Sequence, residues 1–169
     1  MRERLQVELL DDQHDRKQFD CGTLPLDRYL REQATQDIRR RVAACFVAVD
    51  DEPRIAAYYT LASASVPLDL LPPAMAKKLP RYPSVPAVRM GWLAVDQAFR
   101  GQGLGGAMLA DALQRSASSE IASYALIVDA KDEQAAAFYS HHGFIALPSA
   151  KLCLFLPLAT VAVLKKSAR

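Results

Sequence analysis

A chain of 169 residues, 51% hydrophobic and 24% charged, has the size and balance of one folded domain able to bury about two-thirds of its unfolded surface without a metal or disulfide staple. Seven glycines and ten prolines exclude collagen-like and low-complexity architecture, and the overall balance excludes disorder as the main state. With 21 basic against 19 acidic residues the net charge is only +2, so any contact with nucleic acid must come from a local patch.

In chain order, residues 5–10 (LQVELL) read as a first short strand, with no apolar core of signal-peptide length around them. Over 24–41, Leu26, Leu30, Ala34 and Ile38 recur at every fourth position with Tyr29 beside Leu30, one apolar stripe of a helix with Pro25 in its first turn. VAACFVAVD, a turn at Asp51-Glu52-Pro53, and RIAAYYTLASASV predict a hairpin. Six prolines punctuate 67–86, which reads as a loop with at most a short helix near 74–78. A strand over 87–96 runs into a glycine-rich turn, followed by a helix marked by Leu104, Met108, Ala112 and Leu113.

ASYALIVDA is nearly unbroken in its apolar character, as a strand buried on both faces is. Ala135, Phe138, Tyr139 and His142 share one side of a further helix that Gly143 closes, and 144–147 and 151–158 read as the last strands. The apolar run 152–164 contains Pro157 and Thr160 and falls short of the ~20 residues a membrane-spanning helix needs. This order predicts a mixed α/β domain rather than repeated βαβ winding.

The segment WLAVDQAFRGQGLGG at 92–106 carries the most chemistry. Gly101, Gly103 and Gly106 satisfy GxGxxG, but four residues separate strand from glycines, which disfavours the dinucleotide fingerprint and an oxidoreductase; no GK[ST] follows, which excludes a Walker A loop. A turn with glycines at 101, 103 and 105, opening a helix whose first N–H groups lack partners, suits a pyrophosphate, and Arg100 adds a charged donor. Cys21, Cys45 and Cys153 show no CxxC spacing and read as packing residues in a reducing compartment; His14, His141 and His142 have no ligand spacing, so no metal is expected.

Arg100-x-x-Gly103-x-Gly105 resembles the acetyl-CoA pyrophosphate loop of the GCN5-related N-acetyltransferases (GNAT). The resemblance covers most of the chain. FDCG (19–22), YYTLA (58–62), LAVD (93–96), RGQGLG (100–105), VDAKDE (128–133) and AAFYSHHGF (136–144) are similar to the acetyltransferase toxins of bacterial toxin–antitoxin modules. It implies a single GNAT domain over 1–169, with one mixed, mostly antiparallel sheet flanked by helices. It also implies acetyl-CoA as cofactor, with contacts from Leu93, Ala94, Val95, Arg100, Gly101, Gln102, Gly103, Leu104, Gly105, Gly106, Asp129 and Phe138.

Acetyl transfer to an amine needs a neutral amine, a stabilised tetrahedral oxyanion and a proton for the departing thiolate. The resemblance assigns the oxyanion to the backbone of Leu93, Ala94 and Val95 and the proton to Tyr139, whose periodicity alone favours core packing. Asp132 and Glu133 read as capping or first-turn acids rather than bases. An α-amino group with a pKa of about 7.7–8 is already partly neutral, and a site lacking a base suits it.

The toxin branch acetylates the amino group of aminoacyl-tRNA and stops translation. That implies a cytoplasmic enzyme, a ribbon–helix–helix antitoxin as partner, and a homodimer. Arg28, Arg31, Arg39, Arg40 and Arg41 on the first helix, Lys77, Lys78, Arg81 and Arg89 in and after the proline-rich loop, and Lys165, Lys166 and Arg169 are its candidate phosphate contacts. Toxin relatives often carry an arginine immediately before LAVD, where this chain has Trp92; that indole either stacks on a base, lines the acceptor pocket or packs in the core. The alternatives are N-acetylation of a small-molecule amine or a protein N-terminus, and a non-catalytic acyl-CoA-binding module.

Overall fold

The computed structural model describes residues 5–161; Lys165, Lys166, Arg169 and the end of the apolar run 152–164 lie outside them. Strands β1 (Gln6–Leu9), β2 (Ala44–Val49), β3 (Ile55–Pro67), β4 (Ser84–Val95), β5 (Ala125–Asp129), β6 (Ile145–Leu147) and β7 (Ala150–Pro157) form one sheet in the order β1-β2-β3-β4-β5-β7-β6. Pairs β1–β2, β2–β3, β5–β7 and β6–β7 are antiparallel, and β4–β5 is parallel. This is the mixed, mostly antiparallel α/β sheet expected. The chain divides into two compact units, one built from the chain through Ala62 with Gly91–Ala112, the other from Ser63–Met90 with the chain from Leu113 on.

In the first unit the predicted hairpin forms, β2 and β3 pairing from Ala44↔Leu61 to Ala48↔Ala57. The expected helix over 24–41 is broken into α1 (Leu24–Arg28), a π-turn at Tyr29–Gln33 and α2 (Ala34–Arg39). Its stripe holds: Leu30 and Ala34 are fully buried, with Leu26 and Ile38 packed against a core of Phe19, Tyr29, Cys45, Val47, Ile55 and Tyr58. Arg41 is not on the helix. It takes φ +59 just past the cap, where its N–H donates to Ile38 O (3.1 Å) and Val42 N–H donates to Asp37 O (3.0 Å). These two bonds close the helix as a Schellman motif, in the position usually given to glycine.

Helix α4 (Leu104–Ala117) buries Leu104, Met108, Leu109 and Ala112 along one stripe. In the second unit β5 is buried through Ala125–Val128, as its unbroken apolar run predicts, between β4 (Ala87↔Ala125 to Met90↔Val128) and β7. β4 starts at Ser84, earlier than expected, and takes in Pro86; that residue lacks an N–H, but its carbonyl accepts from Tyr124 N (2.8 Å). The rest of the proline-rich segment forms a 3-10 turn at Leu68–Leu70 and the short α3 (Pro73–Ala76). The core here is Val66, Leu71, Val85, Ala87, Ile127, Leu147 and Phe155.

Helix α5 (Glu133–His141) starts at Asp132, whose Oδ1 accepts from Ala135 N (2.8 Å), and ends at Gly143 with φ +93. Gly143 N–H donates to Ser140 O (3.0 Å) and Phe144 N–H to Tyr139 O (3.1 Å), a second Schellman closure. No helix among the described residues is long and apolar enough to cross a membrane.

Candidate active site

The glycines follow β4 after a short turn. Asp96, just past the strand, caps a 3-10 turn at Gln97–Phe99, its Oδ1 accepting from Ala98 N (2.8 Å). Gly101 and Gly103 have φ +78 and +75, and a Cβ built on either would meet nothing within 4 Å. Both glycines therefore serve a left-handed backbone beside open space. Gly105, which the spacing assigns to the turn, lies instead within α4, half-buried beside Gly106 in its first turn, with Gln102 and Gly103 just ahead. Ala107 N–H donates to Gly103 O (3.1 Å), so the N–H groups of Leu104, Gly105 and Gly106 precede the first intrahelical bond. No acidic side chain occupies that turn. A helix start of this kind, reached across two glycines without side chains, fits a pyrophosphate group.

The loop is gripped from the FDCG segment. Asp20 N–H donates to Asp96 Oδ2 (3.0 Å), Gln97 N–H to Asp20 O (2.9 Å), and Gln97 Nε2 to Asp20 Oδ1 (3.0 Å). Arg100 Nη2 donates to Cys21 O. Gly22, at φ +85, lets the chain pass Arg100 and Gln97, since a Cβ there would lie 3.1 Å from the guanidinium. Backbone N–H donation from Gly22, then the Gln97 amide, holds the Asp20 carboxyl below the usual range. Arg54 approaches Asp96 Oδ1 (3.6 Å) and lies 5.3 Å from the centre of the Phe99 ring. Nothing in the local sequence singles out Asp20, Arg54 or Asp96 as positioning residues; FDCG and LAVD, which carry the resemblance, mark the segments of Asp20 and Asp96.

Upstream, Leu93 and Val95 are half-buried and Ala94 is buried. Trp92 is 36% exposed, its backbone N–H donating to Thr60 Oγ1 (3.0 Å) and its ring stacked on Tyr29. It is neither wholly a core residue nor free of packing. A Cβ on Gly91 would meet Thr60 Oγ1 at 2.8 Å, so glycine is required for that hydroxyl to reach Trp92. Arg28, Arg31, Arg39 and Arg40 are exposed, Arg31 with a nitrogen 3.9 Å from the buried Asp27.

In the second unit, Tyr139 is 9% exposed, its ring 5.2 Å from Phe138 and 5.5 Å from Phe144. Burial pushes its phenol up to about 12. Asp129 ends β5 ion-paired with Arg89. Lys77, Lys78 and Arg81 are exposed, and His141 and His142 sit at the exposed end of α5. His14, in the first unit, is buried and bonded through Nε2 to Glu8 (2.7 Å), while its Nδ1 accepts from Asp11 N (2.9 Å). Among the described residues no three His, Cys, Asp or Glu side chains are grouped to hold a metal ion.

Residues 41–146 match the family described as acetyltransferase (GNAT) domain. The chain is 31% identical over 166 residues to the "Probable toxin TacT" of Sinorhizobium fredii, covering 92% of each protein. It is 35% identical over 149 residues to a tRNA-acetylating toxin of Mycobacterium tuberculosis, covering 87% of this chain and 88% of that one. The solved structure of AtaT complexed with acetyl-methionyl-tRNAfMet superposes with a TM-score of 0.86 at 30% identity, over 93% of this chain and 96% of that one. AtaTR bound with AcCoA gives 0.79 at 30% identity (92% and 95%), and a tyrosine-to-phenylalanine mutant of the AtaT toxin bound to the C-terminus of the antitoxin AtaR gives 0.77 at 29% (92% and 94%).

Proposed function

Because this chain belongs to the GNAT acetyltransferase family, we propose that it moves the acetyl group of acetyl-CoA onto the amino group of an aminoacyl-tRNA and so stops translation, as a toxin. The observation that carries the cofactor reading is the glycine turn opening α4: two left-handed glycines with open space beside them and helix N–H groups ahead of the first intrahelical bond. The substrate reading is supported by AtaT, solved with acetyl-methionyl-tRNAfMet, and by the tRNA-acetylating toxin of M. tuberculosis.

Bound acetyl-CoA supplies an activated thioester carbonyl. Arg100, Gly101, Gln102, Gly103, Leu104, Gly105 and Gly106 hold its pyrophosphate through backbone N–H groups and one guanidinium. The main chain of Leu93, Ala94 and Val95 donates to the oxyanion that develops as the amine adds, a contribution of ~3 kcal/mol for each well-placed donor. Tyr139 gives its phenolic proton to the departing thiolate, and the proton lost from the amine restores the phenol. An aminoacyl ester has an amine below the ~7.7–8 of an ordinary α-amino group, so a useful fraction is neutral without a dedicated base.

This reading places the enzyme in the cytoplasm, where aminoacyl-tRNA is found. It gives the enzyme an antitoxin as partner, supported by the AtaT complex with AtaR; the resemblance implies that this antitoxin is of the ribbon–helix–helix type. It also treats residues 1–169 as a single acetyltransferase domain. The test is to incubate the purified protein with radiolabelled acetyl-CoA and a fully charged tRNA pool. Label should enter the tRNA fraction and leave it on mild alkaline hydrolysis of the aminoacyl ester. Absence of label in tRNA, with acetyl-CoA still bound, overturns the substrate and points to small amines or protein N-termini.

A further inference from the structure

Trp92 is the outermost ring of an aromatic stack. It lies on Tyr29 with centroids 4.8 Å apart and planes 24° from parallel; Tyr29 lies on Tyr58 at 6.3 Å and 15°. The two inner rings are buried and fixed at both ends. Tyr29 OH donates to Asp37 Oδ2 (2.8 Å), and Tyr58 OH donates to Leu26 O (2.6 Å). Trp92 is fixed by its backbone bond to Thr60, yet more than a third of it remains exposed. A large ring held rigidly at the surface, with one face covered by a parallel ring, is prepared to extend the stack by one more planar group.

Three features around it narrow the choice of that group. Tyr29 opens the π-turn, in which Ala34 N–H donates to Tyr29 O five residues back; such single-turn irregularities recur at functional sites. Arg28 and Arg31, on either side of Tyr29 in sequence, are both exposed. Proteins hold nucleic-acid strands on exposed aromatic rings that each take a base, with cations further along taking phosphates; Arg28 and Arg31 are exposed cations of the segment that carries Tyr29. Finally, Trp92 directly precedes Leu93, Ala94 and Val95, about 7 Å from Trp92 to Ala94 along a strand. The part of the substrate that lies there must adjoin the reacting amine.

The geometry points to Trp92, stacked on Tyr29, as the platform for the 3′-terminal adenine of the aminoacylated tRNA. This rests on the aminoacyl-tRNA reading and adds the subsite that orients its reacting end. A platform for the terminal base serves every tRNA alike, so choice among aminoacyl groups must come from other residues.

Trp92 is the one tryptophan of the chain, so its fluorescence reports on the subsite directly. The full-length protein is titrated with deacylated tRNA of intact 3′ end, with the same tRNA lacking its terminal adenosine, and with acetyl-CoA alone. Intact tRNA should quench the emission, and trimmed tRNA or acetyl-CoA should leave most of it. Equal quenching by trimmed tRNA overturns the assignment. Quenching by acetyl-CoA to the same extent overturns it in favour of the cofactor's own adenine, and no quenching by intact deacylated tRNA overturns it as well.

In steady state Trp92→Leu should raise KM for charged tRNA about 10-fold with KM for acetyl-CoA unchanged, and Trp92→Phe should recover most of the loss. If Trp92→Leu fails to fold, the quenching series on the unaltered protein decides. Unaltered protein that puts no label into tRNA brings down the substrate reading and this subsite with it. Label that enters tRNA with an unchanged KM in Trp92→Leu brings down the subsite alone.

Discussion

Tyr139 owes its position to the end of its own helix. It is the residue whose carbonyl accepts from Phe144 N–H in the closure of α5, and its ring meets the Phe144 ring at 5.5 Å, the apolar contact that usually accompanies such a cap. Gly143, at φ +93, is what lets the chain turn there. Burial pushes the phenol to about 12, so at neutral pH it keeps its proton, the form a general acid needs, while the shift makes it a weaker acid than a free phenol. Tyr139→Phe keeps the ring and the cap and removes only the hydroxyl. We expect kcat for acetylation of charged tRNA to fall ~10²–10⁴-fold, the range of a positioned general acid, with the thermal midpoint and acetyl-CoA affinity nearly unchanged. A kcat within a few-fold of the original would return Tyr139 to a packing role.

The glycine turn is held as an element by contacts that no local pattern announces. Asp96 is buried and accepts two backbone N–H bonds, from Ala98 and from Asp20, the second across 76 positions of chain. Asp96→Ala leaves both donors without their acceptor and Arg54 without its nearby carboxylate. The expected cost is about 2–4 kcal/mol in stability, read by urea denaturation, together with weaker acetyl-CoA binding by calorimetry. A change under 1 kcal/mol would show the turn to be held by its own backbone. What could be read from sequence was local. The i, i+4 stripe of α1 and α2, the β2–β3 hairpin, the doubly buried β5, the Asp132 cap and the Gly143 stop all follow from patterns a few residues long. What could not be read depends on partners far along the chain or on backbone choices that several residues permit. The π-turn at Tyr29 leaves the apolar stripe intact, so periodicity does not reveal it. Arg41 takes a left-handed position normally marked by glycine, and β4 reaches back through Pro86 because only its carbonyl is needed there. Gly105 looked like part of the turn because the glycine spacing does not reveal where the helix begins.

At the scale of the whole molecule, both compact units bury groups that lose a proton only in base. In the first, burial raises the Cys45 thiol to about 12, and burial with the Asp27 carboxylate beside it raises Cys21 to about 11; Tyr29 and Tyr58 are also shifted up by burial. In the second, burial raises Tyr139 to about 12 and Tyr124 upward, and burial with Asp129 nearby raises Cys153 to about 11. All these shifts have one sign. The folded chain binds the proton more tightly than the unfolded chain, whose thiols ionise near 9 and phenols near 10. Their contribution is fully present below about pH 9 and is lost as the pH climbs through the folded values of 11–12. The acid side has the opposite sign. Asp20 is depressed, so its contribution stands above its unfolded value of 3.8 and disappears only as the pH falls through the lower folded value. The urea midpoint should therefore be level from pH 5 to about 9 and fall beyond, as the folded chain's tighter hold on these protons turns against it. Urea unfolding followed by circular dichroism from pH 7 to 11 checks this, with Cys45→Ala as the comparison. That variant starts less stable, since it opens a cavity, yet its loss between pH 9 and 11 should be shallower because one raised thiol is gone. A midpoint that stays level to pH 11, or parallel slopes in the two proteins, would mean that these groups ionise in the folded chain without opposing it.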